Sequence, residues 1–281
     1  MASFVIHNIA GEVFLRELEG KYGIVLSEED RNKFLMGNLI VDSSRLKKVY
    51  PENITEEEKK ELAFQYRKLG QAEKISTHFR GEDDLDKCIQ APVMEKFINK
   101  YGNLFNKDIS VLGYFFHLYT DKLFFDDLFT QSFRCLDASG KETIYAKEVR
   151  VIQTLKDMKK HLIMEFWNSK NPNGIYTDYT KMNKILLEYY YVNFSSEKLL
   201  ASKDNFKNPG IEEVDYDNIT SVIHKTSKYI EESYELDNVD LSVFDLNVVI
   251  NFIPYVVENF IKNYSDLIEL SCNKGVCRIK K

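Results

Sequence analysis

Five histidines stand at positions 7, 78, 117, 161 and 224 of the 281-residue chain, and in two segments that read as helical one lies four residues ahead of a carboxylate. The pairs are His117 with Asp121, in LGYFFHLYTD, and His161 with Glu165, in HLIME. On an α-helix, positions i and i+4 share a face, so imidazole and carboxylate converge. The first pair lies in an apolar run, where an ionised Asp121 is costly to bury unless paired or bound to a cation. Two readings fit it equally: metal ligation, or a histidine–aspartate hydrogen bond that orders the core. Asp42 ends the helix-like segment FLMGNLIVD, whose Gly37 permits close helix approach. Its carboxylate either faces the interior or caps the following turn. His78 stands in STHFR with Arg80 two residues on, and His7 opens the apolar side of a first amphipathic segment. Taken singly, each of these histidines is more often a core or surface residue than a ligand.

In this order, the segments SFVIHNIAGEV, GNLIVD, THFR and LGYFFHLYTD resemble the family of zinc-dependent phospholipases C and the related single-strand-specific zinc nucleases. The last segment is the most specific, because its glycine, histidine and aspartate recur on that family's central metal helix. The resemblance covers about residues 1–165. It implies that Asp42, His78, His117 and Asp121 ligate one zinc, and that His7 ligates a neighbouring one with Asp121 as the bridge. A further site is implied at His161 and Glu165, on one helix face, for two to three ions in all. The chain departs from the family pattern in two places. After LYTD the family has another histidine, whereas LFFDDLF offers only Asp126 and Asp127, read as a solvated acidic face. Secreted members begin at a zinc-ligating tryptophan, whereas here MASFVI precedes His7.

The chemistry implied is a metal-dependent hydrolase of a phosphoester or phosphodiester, in which a metal-bound hydroxide attacks phosphorus. Asp42 then doubles as the general base for the water proton. Arg80 steadies the phosphate charge, or else pairs at the surface with the GEDDLD run that follows it. Nitrogen and oxygen donors without nearby thiolates suit zinc, with manganese or iron as alternatives. The substrate expected is a small phosphoester, a phospholipid or a nucleotide. Two other readings stand beside this one: a catalytically silent helical metal-binding protein, and a buried polar network with no metal.

The elements that must position these residues are helices. Gly and Pro number 12 and 5, which leaves room for long helices. Apolar spacing predicts helices near 4–19, from Ser27 through Ile40, from the capping box Thr55/Glu58 to Leu69, with Pro92 as an early helical residue before Met94, and through the apolar stretch 109–133. Further helices are expected over 146–167, 180–192, 218–232 and 245–270, the last kinked at Pro254, with LDASGKETIYA as a turn or short hairpin. The expected architecture is one all-α domain over 1–281, with 166–281 helical but unassigned. His224 reads as a helix-surface residue.

Lys and Arg total 38 against 44 Asp and Glu, a net charge of −6, which argues against stable nucleic-acid binding through the phosphate backbone. No apolar run reaches the ~18–20 residues that span a bilayer. The N-terminal residues lack a basic-then-apolar export pattern, so a cytoplasmic protein is expected. Glycine-rich phosphate loops and nucleophile elbows are missing from the sequence. Cys88 and Cys135 read as isolated free thiols, and Cys272 and Cys277 as too widely spaced for a zinc knuckle.

Overall fold

The computed structural model describes residues 2–43, 46, 49–81, 87–236 and 240–272. It is mostly helical, 62% helix against 6% strand. Helix α1 (Phe4–Tyr22) starts where the Ser3 side chain accepts from the Ile6 amide and stops at Gly23, whose φ of 67° a residue without Cβ adopts freely. Ser27 caps α2 (Glu28–Ile40) in the same way, through the Asp30 amide. The reciprocal Thr55/Glu58 box opens α3 (Glu56–Thr77). Then come α4 (Met94–Tyr101) and α5 (Ser110–Leu123), which runs on through a π-helical turn (Phe124–Phe129) into the short α6 (Thr130–Ser132).

Every residue of α5 except Lys122 is buried, which makes it the axis of the molecule. Helix α2 lies against it at backbone contact. A Cβ on Gly37 would sit 2.2 Å from the Ser110 carbonyl oxygen, and one on Gly113 would sit 2.1 Å from that of Phe34. Both neighbours are backbone atoms, so only glycine fits at either position. Phe14 of α1, Phe34 of α2 and Phe116 of α5 stack around this crossing, and Phe260 closes it edge-on.

The expected helix over 146–167 does not form. Instead β1 (Phe133–Leu136), β2 (Val151–Thr154) and β3 (Lys160–Leu162) make an antiparallel sheet in that order, followed by the four-residue α7 (Ile163–Phe166). The cause is local. Val151, Ile152 and Thr154 are β-branched, and Ile152 and Thr154 alternate into the core. The expected turn in LDASGKE is present, with the Asp137 carboxylate accepting from the Ser139 and Lys141 amides and Gly140 at φ 85°.

The C-terminal half adds α8 (Ile175–Tyr189), α9 (Ser196–Ala201), α10 (Ile219–Tyr234) and α11 (Leu246–Cys272). Pro254 is accommodated within α11, and the non-helical residue there is Tyr264. Pro92 precedes α4 rather than opening it and bridges to Arg80. Among the described residues, no helix is long and apolar enough to cross a membrane.

Candidate metal centre

Four separate segments deliver side chains to one buried point. His7 comes from the first turns of α1, Asp42 from the turn after α2, His78 from the end of α3, and α5 supplies His117 from its middle and Asp121 from its last turn. His78 is aimed inward by the way α3 stops. The Arg80 amide donates to the Ile75 carbonyl and the Phe79 amide to that of Ser76, a Schellman closure in which Phe79 takes the left-handed position at φ 51°. A non-glycine residue there is strained. Phe79 offsets the strain by packing edge-on against Phe97, Tyr101 and Tyr114.

The five groups form a tight cluster. His7 Nε2 lies 3.3 Å from Asp121 Oδ1, and His78 Nε2 lies 3.5 Å from both Asp42 Oδ1 and Asp121 Oδ2. His117 Nε2 is 3.8 Å from Asp121 Oδ2 and 4.0 Å from Asp42 Oδ2. The His7 and His117 rings stack with centroids 3.6 Å apart. Two triads, His7–Asp42–His117 and His78–His117–Asp121, each bring their ligand atoms within 4.8 Å of one another. All three imidazoles and Asp121 are at most 1% exposed.

Other hydrogen bonds orient these groups and leave their inner atoms bare. His117 Nδ1 meets the Asn38 carbonyl at 2.7 Å; a carbonyl only accepts, so Nδ1 holds the proton and Nε2 presents a lone pair. Asn38 Nδ2 donates to the His7 carbonyl at 2.6 Å, tying α2 to α1. His78 Nδ1 lies 2.8 Å from Thr77 Oγ1, and the Thr77 carbonyl accepts from Tyr114 Oη. The Ala2 amide donates to Asp121 Oδ1 at 2.9 Å. Nε2 of His7, His78 and His117, together with Asp121 Oδ2, remain buried without a hydrogen-bond partner. Orphans of this kind are costly, and several in one place point to an ion. Three nitrogens and two carboxylates fit zinc well, with manganese or iron next.

The electrostatics favour the deprotonated forms a cation requires. Burial, together with the neighbouring His7, pushes His117 down to about 3, so the ring is neutral. Burial also lowers His78. For Asp42, burial acts upward, but His78, His117 and Lys74 outweigh it and hold the carboxyl below its ordinary range. Asp121 is likewise held low, against burial, chiefly by His7.

Arg80 stands beside this cluster and is 9% exposed. Its Nη1 donates to Gln90 Oε1 at 3.1 Å, the guanidinium lies over the Phe125 ring, and Nε has no hydrogen-bond partner. The fields of Asp121 and Asp42 support its charge against burial. Residues 82–86 of the GEDDLD run, the other expected partner for Arg80, lie outside the described residues. Across the site, burial and then Asp42 raise the Tyr176 phenol, and burial, Glu232 and then Asp42 raise that of Tyr229.

His161 and Glu165 do not share a helix face. His161 is on β3, opposite Ile152 and against Phe166, whereas Glu165 is exposed in α7. Among the described residues neither belongs to a group of converging ligand atoms. Asp126 pairs with Lys122 and Asp127 accepts from Tyr255, both at the surface. His224 is exposed on α10. Sequence reasoning missed Asn38 and Thr77, which set the two histidine rings. Comparison with protein-family models, with curated proteins and with solved structures yields no match.

Proposed function

We propose that this chain is a metal-dependent hydrolase of a phosphoester or phosphodiester, with a fold of the phospholipase C and zinc nuclease kind. One observation carries the reading: three imidazole Nε2 atoms and a carboxylate oxygen, all buried and unpartnered, converge beside a buried arginine. His7, Asp42, His78, His117 and Asp121 would hold the ions, zinc before manganese or iron. When bound, such ions supply Lewis-acid charge to a phosphoryl oxygen and make water a better nucleophile near neutral pH. Asp42, ionised and 6% exposed, accepts the water proton. Arg80 offers Nε to a phosphoryl oxygen while Gln90 holds the other side of the guanidinium. Asn38 keeps the His117 proton on Nδ1. The substrate class is a small phosphoester, phospholipid or nucleotide.

Elemental analysis and turnover of a chromogenic phosphodiester test this reading together. The purified protein is expected to carry at least one equivalent of zinc, manganese or iron and to lose turnover with a chelator. Asp121→Asn should lose both metal and turnover, and Arg80→Gln should keep the metal while turnover falls at least tenfold. Less than one equivalent of metal, with indifference to chelators, contradicts the proposal. A second reading, a silent helical metal-binding protein, draws support from the failure of His161 and Glu165 to assemble a further site. Full metal content without turnover across a phosphoester panel would select it.

A further inference from the structure

Residues 150–165, RVIQTLKDMKKHLIME, carry Arg150, Lys156, Lys159 and Lys160 against Asp157 and Glu165, in a chain whose net charge is −6. They form the β2–β3 hairpin and the start of α7, with β3 as the outer strand of the sheet. The hairpin turn is braced from within. Asp157 accepts from Thr154 Oγ1 and, at 3.1 Å, from the Lys159 amide. Gln153 Nε2 donates to the Met158 carbonyl at 3.0 Å, and Lys156 Nζ to the Leu241 carbonyl at 2.6 Å. Met158 is held there at φ 57°, a left-handed conformation that glycine takes freely and methionine does not. Its side chain returns little to the core, being 60% exposed. On the strands, Ile152 and His161 stand opposite each other and are buried, so Leu162 and Lys160 point to the outer face. Leu162 is 56% exposed, and Met164, two residues on in α7, is 68% exposed. Three large apolar side chains thus stand in water beside the exposed Lys159 and Lys160.

We infer that this hairpin docks the protein onto an anionic phospholipid surface. Met158, Leu162 and Met164 enter the boundary between headgroups and acyl chains, while Lys159 and Lys160 meet lipid phosphates. Apolar side chains beside lysines are the composition that rests in such a boundary, and anionic headgroups attract lysine close to the surface. The rest of the chain is acidic, so an anionic surface repels it and selects this face. Size and shape favour lipid over a protein partner. The element is a hairpin turn rather than a groove, and its few side chains fall far short of the roughly 20–30 residues a side in a specific protein interface. Docking also accounts for Met158. A strained backbone that displays an apolar side chain to water has no return in folding, and such outliers are kept where they serve a function. Among the described residues no helix crosses a bilayer, so the attachment is peripheral. Docking of this kind needs no metal ion and is independent of the hydrolase reading.

The test is co-sedimentation of the full chain with vesicles of phosphatidylcholine and phosphatidylserine in equal parts, and with vesicles of phosphatidylcholine alone. The chain is expected to pellet with the mixed vesicles, to stay in solution with the neutral ones, and to be released as salt rises. The triple variant Met158→Ser, Leu162→Ser, Met164→Ser should bind the mixed vesicles at least tenfold more weakly with its circular dichroism spectrum unchanged. Lys159→Gln and Lys160→Gln should each weaken binding about fivefold. Met158→Gly separates docking from folding: relief of the positive φ should hold or raise the urea midpoint while vesicle binding falls. Failure of the full chain to pellet with mixed vesicles, equal binding to neutral ones, or full binding by the folded triple variant would overturn the inference. A dimer in solution that the triple variant abolishes, without vesicle binding, would overturn it in favour of a second copy of the chain.

Discussion

Helices α3 and α5 each supply a histidine to the same cluster, and they do so by opposite means. Helix α5 is buried along its whole length but for Lys122, so His117 is placed by packing on every side and by the Asn38 carbonyl. Helix α3 is 22 residues long and mostly exposed until it reaches Thr77, so His78 is placed by how the helix ends rather than by what surrounds it. A mid-helix ligand depends on the core, whereas an end-of-helix ligand depends on one closing motif and its anchor. The second arrangement lets a largely solvated helix contribute to a dry site.

The largest effect should come from the α2–α5 crossing. Gly113→Val would drive a branched Cβ into the Phe34 carbonyl, where no side chain can rotate away. Overpacking of this sort costs ~3 kcal/mol or more. Urea denaturation should show the loss, and zinc binding should fall with it. Phe79→Ala should come next, at ~3 kcal/mol from lost aromatic burial. Because Phe79 anchors the turn that aims His78, zinc affinity should drop by more than folding stability alone explains. Unchanged zinc affinity in a folded Phe79→Ala protein would show that the α3 closure does not position the ligand.

Two changes at the exposed part of α3 should be smaller and should leave the site alone. Thr55→Ala removes the capping box, a loss of ~1 kcal/mol in thermal or urea melts. Gly70→Ala is expected to stabilise by ~0.7 kcal/mol, since nothing lies within 4 Å of its Cβ and the helix interior disfavours glycine. Adding a Cβ at a glycine thus has opposite signs on the two helices. A destabilised Gly70→Ala protein would mean that α3 packs against more than this structure shows.

How much of this could be read beforehand varied with the kind of signal. The His117–Asp121 spacing worked because the flanking apolar run already demanded a helix, and Gly37 marked a real close approach. The His161–Glu165 spacing is identical in number, but a four-residue interval means convergence only if the segment is helical. Val149, Ile152, Leu155 and Met158, three apart, imitated a helix face, while the decisive alternation in Val151–Thr154 spans four residues only. Asn38 was invisible as a positioning residue because it orients His117 through its backbone carbonyl, which every residue has.

The most direct test is anomalous diffraction at the zinc edge from crystals of the zinc-loaded protein. A peak is expected among His7, Asp42, His78, His117 and Asp121, with zinc ~2.0–2.1 Å from the Nε2 atoms of His78 and His117. Anomalous density elsewhere, or none among these five side chains at full zinc loading, would contradict a shared cation at the meeting point of α1, α2, α3 and α5.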